Sequence, residues 1–439
     1  MLALVQQCAG FGMALTGSRT YVGFGFGAIQ AGLFLYEAFQ SGAFGRLVVA
    51  EIVPDLVAAL RGTGGYFSVN VALANGVDRA CVGPVQIEDP AVDIDRQHLI
   101  DAVAEAEEIG IAVPSVKAYV SDAAGSLHRV LAQGLRRKVT EHGPRAVIYA
   151  AENHNHAAEI LQASVMAEIP ESERDQVAGR VRFLNTVIGK MSGVIRDPAE
   201  IQAQNLAPLT PDIQWSFLVE QFNRILISKV DFEQREDEPP FRRGFEVFEE
   251  KADLLPFEEA KLFGHNATHA LAAYLGMLKG IQLMAGLKAL PDFMPFLRVA
   301  FIEESGIPLI RKYGGVDPLF TEIGYARYVD DLLERMTNPF LRDTVERTGR
   351  DPARKLGWND RLIGTLRLAL QFGVTPHRYA MGAAAALAVM DRAALDERVD
   401  LASRLDVLWQ ASEPAPQERV AVLELVEEGR RDLQRWLQR

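Results

Sequence analysis

The chain has 439 residues, 49 % hydrophobic and 24 % charged, a balance that excludes disorder and gives room for two or three domains. Its formal net charge of −12, shared evenly between residues 1–200 and the remainder, argues against nucleic-acid binding, which needs a basic face. Two cysteines, Cys8 and Cys81, cannot make a disulfide framework and point to a reducing, cytoplasmic setting; no apolar run reaches the ~20 residues of a membrane-spanning helix.

Residues 1–19 are largely apolar, and no Lys or Arg precedes Arg19. A secretion leader needs a charged start, so a short N-terminal extension is expected, or an early start with Met13 as the alternative. From residue 20, short β-branched runs alternate with helical stretches. Residues 20–24 predict a first strand, 28–39 a helix buried through Ile29, Leu33, Tyr36 and Ala38, and 47–50 a second strand buried on both faces. Further strands are predicted over 66–73, 80–87, 109–113, 146–149 and 181–188, with helices over 96–108, 123–140 and 157–166. The alternation predicts an α/β Rossmann-type domain with a doubly wound parallel sheet over residues 20–200. Pro198, Pro208 and Pro211 mark a connection, after which helical periodicity dominates over 257–279, 362–372 and 417–437. An all-α domain over 201–439 is therefore expected, with the acidic segment 231–243 as a surface loop.

The first strand runs into Gly23-Phe24-Gly25-Phe26-Gly27-Ala28-Ile29-Gln30-Ala31-Gly32. Gly25 would permit a tight turn, and Gly27 would let backbone approach a pyrophosphate at the positive helix N-terminus. Gln30 stands where a dinucleotide fingerprint has its third glycine, with Gly32 two residues on. A glycine-rich packing turn would look the same, but Glu51 ends the second strand 24 residues after Gly27. An acid there accepts hydrogen bonds from ribose hydroxyls and repels a 2′-phosphate, which favours NAD over NADP. Gly25, Phe26, Gly27, Ala28, Ile29, Gln30 and Glu51 are the expected cofactor contacts.

In the second half, a mainly apolar helical stretch carries Lys261, Asn266 and His269. On a regular helix Asn266 projects ~140° and His269 ~80° from Lys261, so all three share one broad face. Buried lysine is rare unless paired or functional, although a lysine at the edge of the stripe could keep its ammonium in water. His265 and His269 are four residues apart, but they lack the adjacent glutamate of a zinc-protease helix and a nearby cysteine, so no catalytic metal is expected.

The spacing Lys261-x4-Asn266-x2-His269 resembles the signature of the polyol-specific long-chain dehydrogenases, the mannitol dehydrogenase family. The likeness continues through Glu303-Glu304-Ser305-Gly306, Leu309-Ile310-Arg311-Lys312-Tyr313-Gly314, Asn338-Pro339-Phe340-Leu341-Arg342-Asp343, Arg347, Arg354-Lys355-Leu356 and Asp360-Arg361-Leu362-Ile363. In the first half, Ala151-Glu152-Asn153 matches the family's Ala-x-Glu-Asn. The similarity spans about residues 20–390 and is strongest to the mannitol-1-phosphate branch.

That resemblance implies an NAD-dependent, metal-independent enzyme that interconverts a sugar alcohol, in this branch a hexitol phosphate such as mannitol 1-phosphate, and the corresponding ketose. It makes Lys261 the general base, with Asn153 and Asn266 as donors to the oxygen that becomes the carbonyl. His269 would orient the hydroxyl, Arg347 and Lys355 would contact the polyol chain, and Glu258 would relay protons. One departure stands out: Ile188-Gly189-Lys190-Met191 replaces the family's Val-Asp-Arg-Ile, putting Lys190 in the arginine's place beside the substrate. A phosphorylated substrate needs clustered cations, for which Lys190, Arg311, Lys312, Arg347, Arg350 and Lys355 are candidates. A mannitol dehydrogenase, a hexuronate reductase and a non-catalytic NAD-binding regulator are the alternatives. The expected partner is a small-molecule polyol or polyol phosphate, without nucleic acid, membrane or metal, in a monomer or a dimer.

Overall fold

The computed structural model describes residues 15–222, 224–233 and 239–438, so most of the expected extension, with Cys8, lies outside the described residues. The first half is built on strands β1 (Arg19–Phe24), β2 (Phe44–Ala50), β3 (Phe67–Ala72), β4 (Val77–Val82), β5 (Gln86–Glu88), β6 (Glu108–Ile111), β7 (Ala146–Ala150), β8 (Val181–Ile188), β9 (Ser192–Ile195), β10 (Ser216–Glu220), β11 (Ile225–Ser228) and β12 (Phe248–Lys251). The larger sheet has the order β12-β11-β8-β7-β6-β1-β2-β5 and is parallel except where β11 meets β8. A second sheet has the order β4-β3-β10-β9.

Alternate residues of the central strands serve opposite faces, which is why these runs are apolar throughout. Tyr21, Leu47, Val49 and Tyr149 enter one core with Phe34 and Leu35, and there meet Phe67, Val69 and Phe217 of the second sheet. Val22, Val48, Ile109 and Ile148 enter the other, against Leu99, Val103, Val130 and Leu131 of two crossover helices. The helices of this unit that bear on the site are α1 (Tyr36–Ser41), α2 (Pro54–Gly62), α3 (Asp93–Glu105), α4 (Leu127–Thr140) and α5 (Ala157–Ala167).

Three expectations change. The run 80–87 is not one strand: it divides at Gly83-Pro84 into β4 and β5, which join different sheets. The boundary expected near residue 200 falls instead at Leu254, with the second unit spanning Leu255–Arg439. The proline-rich connection leads back into β10, which lies parallel to β3 through Leu218 and Asn70, and β11 and β12 extend the larger sheet. The strands after residue 200 therefore belong to the first unit, and the second is helical. Cys81, on β4, takes part in a disulfide, unlike the reduced thiol expected.

The second unit begins with α6 (Leu255–Glu259), a π-helical segment (Ala260–Asn266) and α7 (Ala267–Leu278). A second π-helical segment, Ala300–Gly306, leads into α8 (Ile307–Tyr313) and then α9 (Glu322–Met336), α10 (Arg361–Gln371), α11 (His377–Met390) and α12 (Pro416–Leu437). No helix among the described residues is long and apolar enough to cross a membrane.

Candidate active site

Parallel pairing brings the C-terminal ends of β1, β2, β6 and β7 to one edge of the sheet, where the strand order reverses between β2 on one side of β1 and β6 on the other. At that edge Gly25 has φ +83°, donates its amide to Ala50 O at 2.9 Å, and would place a Cβ 2.7 Å from Ala112 O. Only glycine fits. Gly27 is exposed, with open space where a Cβ would stand, and its carbonyl accepts the first helical bond from Ala31 N at 2.9 Å. Half-exposed Ala28 and Ile29 follow, then a π-helical segment (Gln30–Leu35) and α1. The first amides of such a helix have no intrahelical acceptor and suit an anion.

Two expected contacts have other tasks. The Phe26 side chain is core, edge-on to Phe67 at 4.9 Å, so only its backbone faces a ligand. Gln30 is fully buried and donates to Tyr21 Oη at 2.7 Å, filling the space that Gly23 leaves on β1. The close helix–sheet approach of the missing third glycine is made by Gly32 instead, whose Cβ would stand 2.5 Å from Val219 Cγ1 of β10. Glu51 is 6 % exposed, and its Oε1 accepts from the amides of Ile52 (2.8 Å) and Val53 (2.9 Å). Its other oxygen has no hydrogen-bond partner among the described residues, which fits a ribose diol.

Beyond β7, Glu152 clamps two loops together: it accepts from Val113 N at 2.9 Å and from the Tyr119 hydroxyl. Burial raises its pKa. The next residue, Asn153, is exposed with no side-chain hydrogen bond among the described residues, and His154 Nδ1 accepts from the amide of His156 at 3.1 Å ahead of α5. Lys190 is 6 % exposed and donates to Phe222 O at 3.1 Å, which ties its ammonium to the protein.

The lysine turn differs from a regular helix. A π-segment closes with i→i+5 bonds, so Asn266 sits about one turn above Lys261 rather than ~140° round from it. Burial lowers the Lys261 pKa to about 8; the Arg361 charge assists and Glu258 opposes. Glu259 is engaged elsewhere, with Lys312 at 2.7 Å. His265 and His269 stack at 5.7 Å. Burial holds His265 well below its ordinary pKa, and the His269 charge adds to that. His269 is lowered to about 4 by burial, against the pull of Asp343, whose Oδ2 is 3.7 Å from Nε2. Both imidazoles are therefore neutral at pH 7, and His269 Nε2 is buried without a hydrogen bond among the described residues.

Around this turn, Arg347 Nε donates to Asp343 at 2.7 Å, and Lys355, 3 % exposed, donates to Thr348 O and lies 5.6 Å from the Tyr274 ring centroid. Burial, then Arg361, lowers Lys355 to about 8. Other suggested cations are committed: Arg311 to Phe372 O and Lys312 to Glu259. Glu304 of the Glu-Glu-Ser-Gly motif accepts from the amides of Arg378 and Tyr379, both at 3.0 Å, fixing the start of α11. Arg361 stood only within a family motif in the sequence, yet its charge acts on Lys261, His265, His269, Tyr274 and Lys355. Among the described residues the one grouping with metal-ligand geometry is Glu88, Asp95 and His98, where Arg61 already bonds both carboxylates.

A dinucleotide turn on a parallel sheet and, in the second unit, a buried lysine with a lowered pKa suit a nicotinamide-linked oxidoreductase acting on a CH-OH group. Residues 253–423 match the family model described as the mannitol dehydrogenase C-terminal domain. Over that segment the chain is similar to the C-terminal domain of the mannitol dehydrogenases. It is 29 % identical over 367 residues to mannitol-1-phosphate 5-dehydrogenase of Bacillus licheniformis, covering 83 % of this chain and 86 % of that one. Its fold is similar to that of Pseudomonas fluorescens mannitol 2-dehydrogenase, solved as a ternary complex with NAD and D-mannitol (TM-score 0.69, 16 % identity, 96 % and 95 % of the two chains). It is also similar to a substrate-free D-sorbitol dehydrogenase (TM-score 0.74, 14 % identity, 95 % and 94 %).

Proposed function

We propose that this chain is an NAD-dependent polyol dehydrogenase in which Lys261 is the general base, acting on a hexitol phosphate such as mannitol 1-phosphate. The observation that carries this reading is Lys261 itself, held near pKa 8 on a turn that also presents Asn266 and the unpartnered Nε2 of His269. A free lysine at ~10.4 would be almost fully protonated at neutral pH, so burial is what makes it a usable base.

Gly25, Gly27 and the helix start at Ala28 and Ile29 would hold the cofactor's pyrophosphate, and Glu51 its ribose hydroxyls. Bound NAD supplies the hydride acceptor. Lys261 takes the hydroxyl proton, Asn266 donates to the oxygen as it becomes a carbonyl, and the exposed amide of Asn153 is assigned the same role. Neutral His269 orients the hydroxyl, and Arg347 and Lys355 favour a polar or anionic substrate tail. The mannitol-1-phosphate relative supports the phosphorylated choice.

The test is NADH formation with mannitol 1-phosphate, mannitol and sorbitol, and NADH oxidation with a hexuronate. Mannitol 1-phosphate is expected to give the highest kcat/KM, unchanged by EDTA. Tight NADH binding with no turnover on any of them would sink the proposal and leave a nucleotide-binding regulator. Glu51→Ser is expected to weaken NADH and admit NADPH, shifting the ratio of their Kd values by roughly tenfold or more, read by fluorescence titration.

A further inference from the structure

We propose that Arg361 binds the anionic oxygen group of the substrate, a phosphate ester or a carboxylate, and so sets the preference for charged over neutral polyols. This rests on the polyol-dehydrogenase reading above. Arg361 opens α10 with its side chain 11 % exposed, and its Nε donates to Asp360 Oδ1 at 2.8 Å. Its two terminal nitrogens have no partner among the described residues. Asp360 is already shared, since Oδ1 also caps the Arg361 amide at 2.7 Å and Oδ2 lies 3.6 Å from Arg354.

The position of α10 aims this fork at the lysine turn. Thr365 Oγ1 donates to Phe263 O at 3.1 Å, and a Cβ on Gly364 would stand 2.5 Å from the Phe263 ring. Arg361 is four residues before Thr365 and therefore on the same helix face. Two buried polar atoms in this neighbourhood also lack partners, His269 Nε2 and the hydroxyl of Tyr274, which is 0 % exposed. Unpartnered polar groups in a native interior mark where a ligand or water completes the bonding. Arg347 and Lys355, by contrast, are bonded to Asp343 and Thr348. A guanidinium with both terminal groups open is the donor geometry for two oxygens of one anion.

The experiment has one arm without turnover. In the wild-type chain, phenylglyoxal modification of Arg361, located by peptide mass spectrometry, should slow at least ~fivefold in inorganic phosphate or a hexuronate and remain unchanged in mannitol. In the kinetic arm, Arg361→Gln should lower the ratio of kcat/KM for mannitol 1-phosphate to that for mannitol about 30-fold or more. Arg361→Lys, which keeps the charge but not the fork, should fold normally and lower that ratio about tenfold. The rising limb of kcat with pH should move upward in Arg361→Gln and stay in place in Arg361→Lys. Protection by phosphate without hexuronate assigns a phosphate ester; the reverse assigns a carboxylate. Protection without polyol turnover would leave the anion site standing and overturn the activity. Full turnover with an unprotected Arg361, or equal losses on charged and neutral polyols, would overturn the assignment of Arg361 alone.

Discussion

Replacing Lys261 with Met is expected to reduce kcat for polyol oxidation by about 10²–10⁴-fold, the usual worth of a positioned general base, with NADH affinity retained. In the wild type, oxidation should accelerate as pH rises and level off above about 8, where Lys261 has lost its proton. Ketose reduction needs the protonated lysine and should fall over the same range. The same burial has an opposite consequence for stability. The folded pKa is depressed from 10.5 to about 8, so the folded state disfavours the charge that the unfolded chain keeps. The penalty is complete below pH 8 and vanishes as pH rises to 10.5. Lys261→Met should therefore be more stable than the wild type at pH 7, by up to about 3 kcal/mol, with the difference gone above pH 10.5. Urea denaturation at pH 7 and near pH 10 measures this, and kcat measures the catalytic loss. A variant that loses stability and keeps its rate would remove Lys261 from the chemistry.

The parts of the site that were legible in the sequence are those whose geometry is local. β1, Gly25, the helix after Gly27 and Glu51 follow one another within about 30 residues, and each choice there has a local steric or electrostatic reason. β8 was readable because an eight-residue β-rich run needs no distant partner to be noticed. β10 was not, because its five residues become a buried strand only beside β3, with Leu218 opposite Asn70. Arg361 shows the same limit in the site. Beside Asp360 it reads as an ordinary capped helix start, and only the bond from Thr365 to Phe263 brings it to a lysine one hundred residues earlier. The side chains of Phe26 and Gln30 turn into the core for a related reason: a fingerprint position specifies a backbone path, whereas the side chain goes where the second sheet and Gly23 leave room.

The π-turn was invisible to periodicity, because a stripe counted at 3.6 residues per turn contains no sign of one extra residue. The segment is closely packed at Gly264. A Cβ there would stand 2.7 Å from both Phe301 Cε2 and Tyr325 Oη. Neither neighbour can yield easily: Phe301 is 0 % and Tyr325 1 % exposed, and the tyrosine hydroxyl is within 3.2 Å of Ser305 Oγ on the second π-segment. Alanine would favour a helix intrinsically by ~1 kcal/mol, but overpacking a filled site costs about 1–3 kcal/mol, so Gly264→Ala is expected to destabilise. The larger effect should be on rate. Relief of the clash requires the segment to shift, and Lys261 and Asn266 lie on either side of Gly264 within it. A displacement of ~1 Å can cost about 100-fold, so kcat should fall by that order while NADH affinity, which depends on the first unit, remains. Phe301→Leu in the same chain removes the ring that blocks the Cβ and should restore part of both losses, a coupling that a double-mutant cycle measures. If Gly264→Ala lowers Tm but keeps kcat and its pH profile, the π-turn serves packing only, and the alignment of Lys261 with Asn266 is not what the reaction depends on.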